Sequence, residues 1–385
     1  MKIYLNENVY DAALERIRYI FDEFENVIVS FSGGKDSTVT FELAMKIAEE
    51  KNRLPLTVLF LDQEAEWQNV IDYVKIIMED DRVNPMHIQM PIRMTNSTSN
   101  DQHYLSAWQD GAEWMREKEP YALTENVYGT DRFHELFPAI YEYHWKDQPL
   151  AVLAGVRAEE SPSRLAGLTN AVTYKWITWG KRKNKKRDHY NFYPLYDWSY
   201  TDIWKCIHDN NYNYAKAYDY FYQYGISPTK MRVSNLHHET AVHQLFYLQE
   251  IERDTWNKLT KRLGGINQAR HLSKQDMFQA TKLPYMFNSW QEYRDHLLQN
   301  LVTDKEYQDA FRKRFAKMDD LYVFMTKKEK LHKMHIATIL AQDIDFTKCD
   351  NFEQNPHAIT YRRWRKGDKK FVSKSQHKEW IPVNG

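Results

Sequence analysis

Residues 30–37 read Ser-Phe-Ser-Gly-Gly-Lys-Asp-Ser and concentrate the donors that a polyphosphate needs. Two adjacent glycines let the backbone turn with successive N–H groups pointing inward, which makes an anion nest. Ser32, Ser37 and Thr38 add hydroxyl donors, and Lys35 adds a full positive charge. The run follows a β-branched stretch and precedes an apolar-periodic one, so the donors stand at a helix start, where the dipole favours anions. The spacing is neither the GxxxxGK[ST] pattern nor the dinucleotide GxGxxG pattern. The candidate phosphate-binding set is therefore Ser30, Ser32, Gly33, Gly34, Lys35, Asp36 and Ser37.

Further along, Gly155, Arg157 and Arg164 lie in GVRAEESPSR, at the end of a second apolar run. Guanidinium groups grip phosphate or sulfate through two parallel hydrogen bonds, which an ammonium cannot do. Facing the glycine loop, Arg157 and Arg164 would clamp a polyphosphate; the alternative is that they pair with Glu159 and Glu160. Gly155 would allow a ligand close to the backbone. Asp36 and Asp62 are candidates for Mg²⁺, which takes one or two carboxylates and completes its shell from phosphate and water. Asp36 has a second reading, as a helix-start carboxylate. Lys35, Asp36 and Arg157 are the candidate catalytic residues.

The elements that must position these groups follow from periodicity. Residues 7–24 read as an amphipathic helix, with Asn6 or Asn8 as cap. NVIVSF (26–31) and LTVLFL (56–61) read as buried strands, MHIQMPI (86–92) and AVLAGV (151–156) as a third and fourth. Helices are predicted from about Thr38 to Glu50 and from about Glu64 to Met78. Strand and helix alternate with short connections, which predicts an α/β fold: a parallel twisted sheet with helices on both faces. Ligands of such sheets bind outside the carboxyl ends of the strands, where Asp62 stands. Residues 93–149 read as an insertion. The expected domains are 1–205, a helical domain at 206–340, and a basic tail at 341–385. Trp198 and Trp204 read as core.

The 385-residue chain has 53 Lys plus Arg and 53 Asp plus Glu, so its formal net charge is zero. Its 42% hydrophobic residues make it globular rather than disordered. No run approaches the roughly 20 apolar residues of a membrane span, and the first residues lack a signal-peptide layout. The cysteines are Cys206 and Cys349 alone, which excludes a disulfide framework and an all-cysteine iron–sulfur cluster held by this chain. A cytoplasmic location is the expectation.

SFSGGKDS resembles the PP-loop of the adenine-nucleotide α-hydrolase-like superfamily, which includes ATP pyrophosphatases, ATP sulfurylase small subunits and phosphoadenylyl-sulfate (PAPS) reductases. FLDQEAEWQ (60–68), GVRAEESPSR (155–164) and YPLYDWSYTDIW (193–204) are similar, in that order, to segments of the PAPS reductase branch. The resemblance spans about residues 26–205. It implies ATP or a related adenine nucleotide such as PAPS, with the adenosine at the Asp62 edge. YAKAYDYFYQYGISPTKMRVSN (214–235) resembles the IbrA-like branch, described as prophage gene co-activators, and implies a ParB-like protein partner.

PAPS reductases use a nucleophilic cysteine in an E-C-G-x-H-like context, whereas Cys349 lies in DFTKCDNFEQNPH and Cys206 in TDIWKCIHDN. The expected chemistry is therefore phosphate chemistry: an ATP pyrophosphatase or adenylating enzyme, in which a substrate oxygen attacks the α-phosphorus and pyrophosphate leaves. Alternatives are a nucleotide-binding regulator and a PAPS reductase. His237 and His238 are general-base candidates by residue type only. The five-residue spacing from His238 to His243 does not suit a helical zinc pair. A basic run, Lys181, Arg182, Lys183, Lys185, Lys186 and Arg187, has Trp176, Trp179, Tyr190 and Phe192 beside it, which suits nucleic acid. Arg362, Arg363, Trp364, Arg365 and Lys366 repeat the pattern. The alternative for 181–187 is a solvated hairpin tip.

Overall fold

The computed structural model describes residues 5–96, 104–169, 174–182, 187–228, 231–233, 235–238, 241–263, 283, 286–302, 304–323, 328–340 and 343–368. Two compact units divide the chain: residues 1–94 with 105–264, and residues 95–104 with 265–385.

The first unit opens with α1 (Val9–Glu23), where the Asn8 side chain accepts from the Asp11 N–H at 2.8 Å. The apolar run after it forms β1 (Asn26–Ser30), whose three central residues are buried. Next come α2 (Lys35–Glu50), β2 (Leu56–Leu61), α3 (Gln68–Met78) and β3 (Val83–Ile88). Ile92–Thr95 (β4) and Tyr104–Ala107 (β5) form a separate two-stranded sheet. The chain continues through α4 (Phe133–Trp145), β6 (Leu150–Ala154) and α5 (Pro162–Thr169). The hairpin β7 (Gly180–Arg182) and β8 (His189–Phe192) follows, then α6 (Tyr200–Asp209), α7 (Ala217–Gln223), α8 (Val242–Ile251) and α9 (Arg253–Arg262).

The main sheet has six strands in the order β3-β2-β1-β6-β8-β7, all parallel except β7. The chain leaves β1 towards β2 and β3, and later returns to β1's other side as β6. The order therefore reverses between β1 and β6, and such a switch point opens a crevice at the carboxyl ends of its two strands. Register fixes what meets there: Ser30 pairs with Ala154, so the glycine loop after Ser30 faces Gly155.

The expected α/β sheet is thus the observed one. Several boundaries differ. Helix α2 begins at Lys35, three residues earlier than predicted. Helix α3 begins at Gln68 rather than Glu64, because residues 62–67 form a loop. Strand β3 is 83–88, and the apolar 86–92 run carries on into the second sheet at Ile92. Strands β7 and β8 form the hairpin that was raised only as the alternative for residues 181–187. The first unit also extends beyond 205: Trp204 packs edge-on against Tyr214 and Tyr218, which carries α6 and α7 along with the sheet. Trp198 is core, as expected, and donates its Nε1–H to the Val9 carbonyl at 3.0 Å.

In the second unit, α10 (Trp290–Asn300), α11 (Lys305–Leu321), α12 (Lys328–Leu340), α13 (Thr347–Gln354) and α14 (Pro356–Arg365) enclose a core that includes Phe311, Met318, Tyr322, Ile339, Cys349 and Tyr361. Residues 347–365, expected as basic tail, are therefore helical and partly core. Their arginines serve helix ends: Arg365 donates to the Asp320 and Leu321 carbonyls, and Arg362 to that of Glu353. Such contacts satisfy carbonyls that a helix end leaves open. Among the described residues, no helix is long and apolar enough to cross a membrane.

Candidate functional site

The glycine loop spans β1 to α2. Gly33 has φ +69°, a left-handed conformation, and a Cβ there would stand 2.5 Å from a Val70 methyl. Ser32 and Ser37 lock the loop: their hydroxyls lie 3.0 Å apart, and Ser37 donates to the Gly34 carbonyl at 2.8 Å. The first turn of α2 follows, and its leading N–H groups have no partner within the helix. The Lys35 N–H reaches the Tyr218 hydroxyl at 3.1 Å.

A cleft of about 290 Å³ opens over this loop. Ser32, Gly34, Lys35, Asp36, Ser37, Gly155 and Arg164 line it, joined by Glu160, Tyr218, Arg232, Val233, Asn235 and His238. Its size is at the small end for ligand pockets, and its lining is polar and cation-rich. A smaller cavity of about 100 Å³ shares Lys35, Glu160 and Arg232 with it and adds Arg157, Tyr200 and Met231.

Lys35, Asp36 and Arg157 form one buried triad. Lys35 Nζ is 2.8 Å from Asp36 Oδ2, and Arg157 Nε donates to Asp36 Oδ1. Burial pushes the Asp36 carboxyl up, but Lys35 and Arg157 outweigh it and hold it below the usual carboxylate range. Arg157 also donates to the Trp198 carbonyl at 3.3 Å. Arg164 pairs with Glu160. So Arg164 takes the ion pair that the sequence offered as an alternative to clamping, while Arg157 turns to Asp36.

Two expected ligands stand elsewhere. Ser30 ends β1 and does not line the cleft. Asp62 is fully buried in a network of its own: Arg116 donates to its Oδ1, and His87 and Gln89 reach its Oδ2 at 3.0 and 2.9 Å. Burial alone would raise its pKa, yet Arg116, and after it His87, hold it far below the usual range. The proposed magnesium pair therefore does not fit. Both Asp36 oxygens carry cations, and Asp62 is enclosed by donors.

The loop after β2 holds two further buried carboxylates that sequence reasoning missed. Glu64, at φ +65°, meets Arg262 Nε at 2.7 Å and the Trp108 N–H at 2.7 Å. Among the described residues no arginine pairs with Glu66; burial, and next the Asp62 charge, raise its pKa to about 8. With the Asn235 amide turned so that its nitrogen faces Glu66, both Glu66 oxygens accept from it at 2.7 Å, which ties the cleft wall to the β2 loop. Leu236 N–H adds a bond to the Ala65 carbonyl at 2.7 Å. Tyr218, Arg232 and Asn235 were also missed as site residues, because the resemblance of segment 214–235 gave no residue in it a role at the phosphate loop. Of the two general-base candidates, His238 lines the cleft. His237 is buried, and that burial, with His238 beside it, lowers its pKa to about 3.

The basic run spans the β7–β8 hairpin, the structural alternative raised for it. Arg187 pairs with Glu142 at 2.7 Å and Asp147 at 3.2 Å, and Arg182 with Asp188. Lys181 is half-buried; Lys183, Lys185 and Lys186 lie outside the described residues. Of the neighbouring rings, Tyr190 and Phe192 are buried against Phe24, Trp179 packs on Phe192, and Trp176 is 80% exposed. Both cysteines are buried, and burial pushes each thiol up to about 11.

Matches to protein families divide the chain at residue 225, inside the first unit, which runs on to residue 264. Residues 225–370 match a domain of unknown function, DUF3440. The chain is 28% identical over 276 residues to the uncharacterized protein YbdN of Escherichia coli strain K12, covering 69% of this chain and 68% of that protein. It is 24% identical over 206 residues to sulfate adenylyltransferase subunit 2 of Akkermansia muciniphila, covering 49% of this chain and 59% of that one. A crystal structure of Candida glabrata FMN adenylyltransferase with FMN and an ATP analogue aligns with a TM-score of 0.36 and 14% identity, over 57% of this chain and 65% of that one. Residues 26–224, just over half of the chain and all of the glycine-loop crevice up to Tyr218, match the phosphoadenosine phosphosulfate reductase domain, and the chain belongs to that family.

Proposed function

We propose that the chain binds ATP, or a closely related adenine nucleotide, with its phosphates in the cleft over Ser32–Ser37, and that it adenylates an acceptor with release of pyrophosphate. The observation that supports this most is the convergence of the α2 N-terminus, Lys35, Arg164 and Arg232 on one polar cleft. Fixed cations and helix N–H groups stabilise charge that moves onto a leaving pyrophosphate, and they need no reorganisation to do so. Arg157 holds Asp36, and Asp36 holds Lys35, so the ammonium is positioned before ligand arrives. The smaller cavity beside Lys35 is the place for an acceptor. Similarity to a protein named sulfate adenylyltransferase subunit 2 favours adenylyl transfer. Sulfonucleotide reduction is disfavoured by two buried thiols of raised pKa. The test is pyrophosphate release from ATP across candidate acceptors, with Lys35→Ala as control. Tight ATP binding without turnover for any acceptor would remove the enzyme reading.

The second reading is a nucleotide-binding regulator of the IbrA-like kind, acting with a ParB-like partner or on nucleic acid. Segment 214–235 and the basic hairpin support it. The ion pairs of Arg182 and Arg187 weaken its nucleic-acid arm.

A further inference from the structure

Helices α10, α11 and α12 of the second unit bring together groups that neither the nucleotide cleft nor adenylyl transfer uses. His332 and His335 stand three apart on α12, which puts both rings on one face. Each Nδ1 lies 3.9 Å from Oδ1 of Asp319 on α11. These ligand-type atoms all fall within 4.8 Å of one another, the one such His/Cys/Asp/Glu group among the described residues. His335 is fully buried, His332 is 6% exposed, and Phe315 stacks on His335 at 4.1 Å.

A cation already sits among them. Arg294 Nη1 is 2.6 Å from Asp319 Oδ2 and 3.3 Å from each imidazole Nδ1. With both imidazoles carrying their proton on Nε2, three acceptors face one Nη1 that has two hydrogens, more than it can serve. Asp319 Oδ1 is buried with no hydrogen-bond partner. The cluster is therefore richer in acceptors than its arginine can satisfy, and unmet buried acceptors are costly. Arg294 has a second anion to stay with, since its Nη2 is 2.7 Å from Asp295 Oδ1.

We propose that Asp319, His332 and His335 form a site for one divalent transition-metal ion of the zinc type, and that Arg294 fills this site when the ion is out. Two imidazoles and a carboxylate are the donor set that zinc and its neighbours take, with a further position left for water or an exogenous ligand. Metal entry exchanges one cation for another: Asp319 turns its charge from the guanidinium to the ion, and Arg294 stays with Asp295. No bond in the chain is made or broken.

The experiment uses the full chain, freed of any histidine tag and stripped with chelator. Zn²⁺ is titrated by competition with a chromophoric chelator, and Co²⁺ serves as the optical probe. One ion per chain is expected, with a visible Co²⁺ band. Asp319→Asn and His332→Gln should each weaken Zn²⁺ by about tenfold or more, and Arg294→Gln, which removes the competing cation, should tighten it by about tenfold. Absence of stoichiometric Zn²⁺ binding in both the parent chain and Arg294→Gln would overturn the proposal. So would binding that Asp319→Asn and His332→Gln leave unchanged, because the ion would then sit elsewhere. The Arg294→Gln gain keeps the test decisive if the ligand variants fail to fold.

Discussion

Gly155 lies against the backbone of Asp36: a Cβ on Gly155 would stand 2.6 Å from the Asp36 carbonyl carbon and oxygen and 2.7 Å from the Ser37 nitrogen. The end of β6 thus touches the first turn of α2 without a side chain between them. Neither partner can yield easily, because both are backbone: Gly155 directly follows β6, and Asp36 lies in the first turn of α2. Gly155→Ala should push the α2 start away from β6, destabilise the chain by about 2 kcal/mol or more, and weaken ATP binding. Chemical denaturation and calorimetry check this. Unchanged stability and affinity would mean that the α2 start has room to move.

Asp36 separates a structural from a metal-binding role. Asp36→Asn leaves Lys35 and Arg157 buried beside each other without their shared anion, a loss of about 3 kcal/mol. It also makes the cleft more positive, so affinity for free ATP without divalent ions should rise or hold in the surviving folded fraction. If Asp36 instead carries magnesium, affinity should fall only when Mg²⁺ is present. Calorimetry with and without Mg²⁺ distinguishes the two.

Glu66 predicts a stability change on the alkaline side. Its pKa rises from 4.5 in the reference state to about 8 in the folded chain. A raised carboxyl binds its proton more tightly when folded, so its contribution is fully present below pH 4.5 and is lost as pH climbs to about 8. His237 acts in the opposite sense: its pKa falls from 6.5 to about 3, so its contribution is present above pH 6.5 and is lost below. From pH 6.5 to 8 only Glu66 of this pair is changing, and stability should drop by up to about 2 kcal/mol. Glu66→Gln keeps an acceptor for Asn235 and should flatten that slope. Urea midpoints at pH 6.5 and 8 measure it; an equal slope in both proteins would refute the assignment.

How much of this was legible in the sequence depends on the range of the interaction. The glycine loop, Lys35 and Arg164 were legible because a strand, a turn and a helix start are local patterns, and the cleft forms where they meet. Asp62 was read correctly as the residue after β2, but the buried network around it was not foreseen. Its partners His87, Gln89 and Arg116 lie 25 to 54 residues away, and no local pattern announces a buried network. Arg232 and Asn235 escaped for the same reason. Residues 347–365 misled in another way: arginines that complete helix ends give the same letters as a basic tail.

The cysteines yield the test that bears most on family chemistry. Sulfonucleotide reduction needs an accessible thiolate, since the thiolate and not the thiol attacks sulfur. Cys349 is fully buried in the core of the second unit, with Thr338 Oγ1 3.8 Å from its sulfur, and Cys206 is 6% exposed on α6. A thiol raised to about 11 is ionised only to about one part in ten thousand at pH 7. Iodoacetamide at neutral pH should therefore leave both cysteines of the native chain unmodified over a time that fully labels an exposed thiol, and denaturant should release both. PAPS with a dithiol reductant should give no oxidised product. Cys349→Ala should lower stability by about 1 kcal/mol through lost packing and leave nucleotide affinity unchanged. Rapid native labelling of Cys349, together with PAPS-dependent oxidation that Cys349→Ser abolishes, would restore the reductase reading and displace adenylyl transfer.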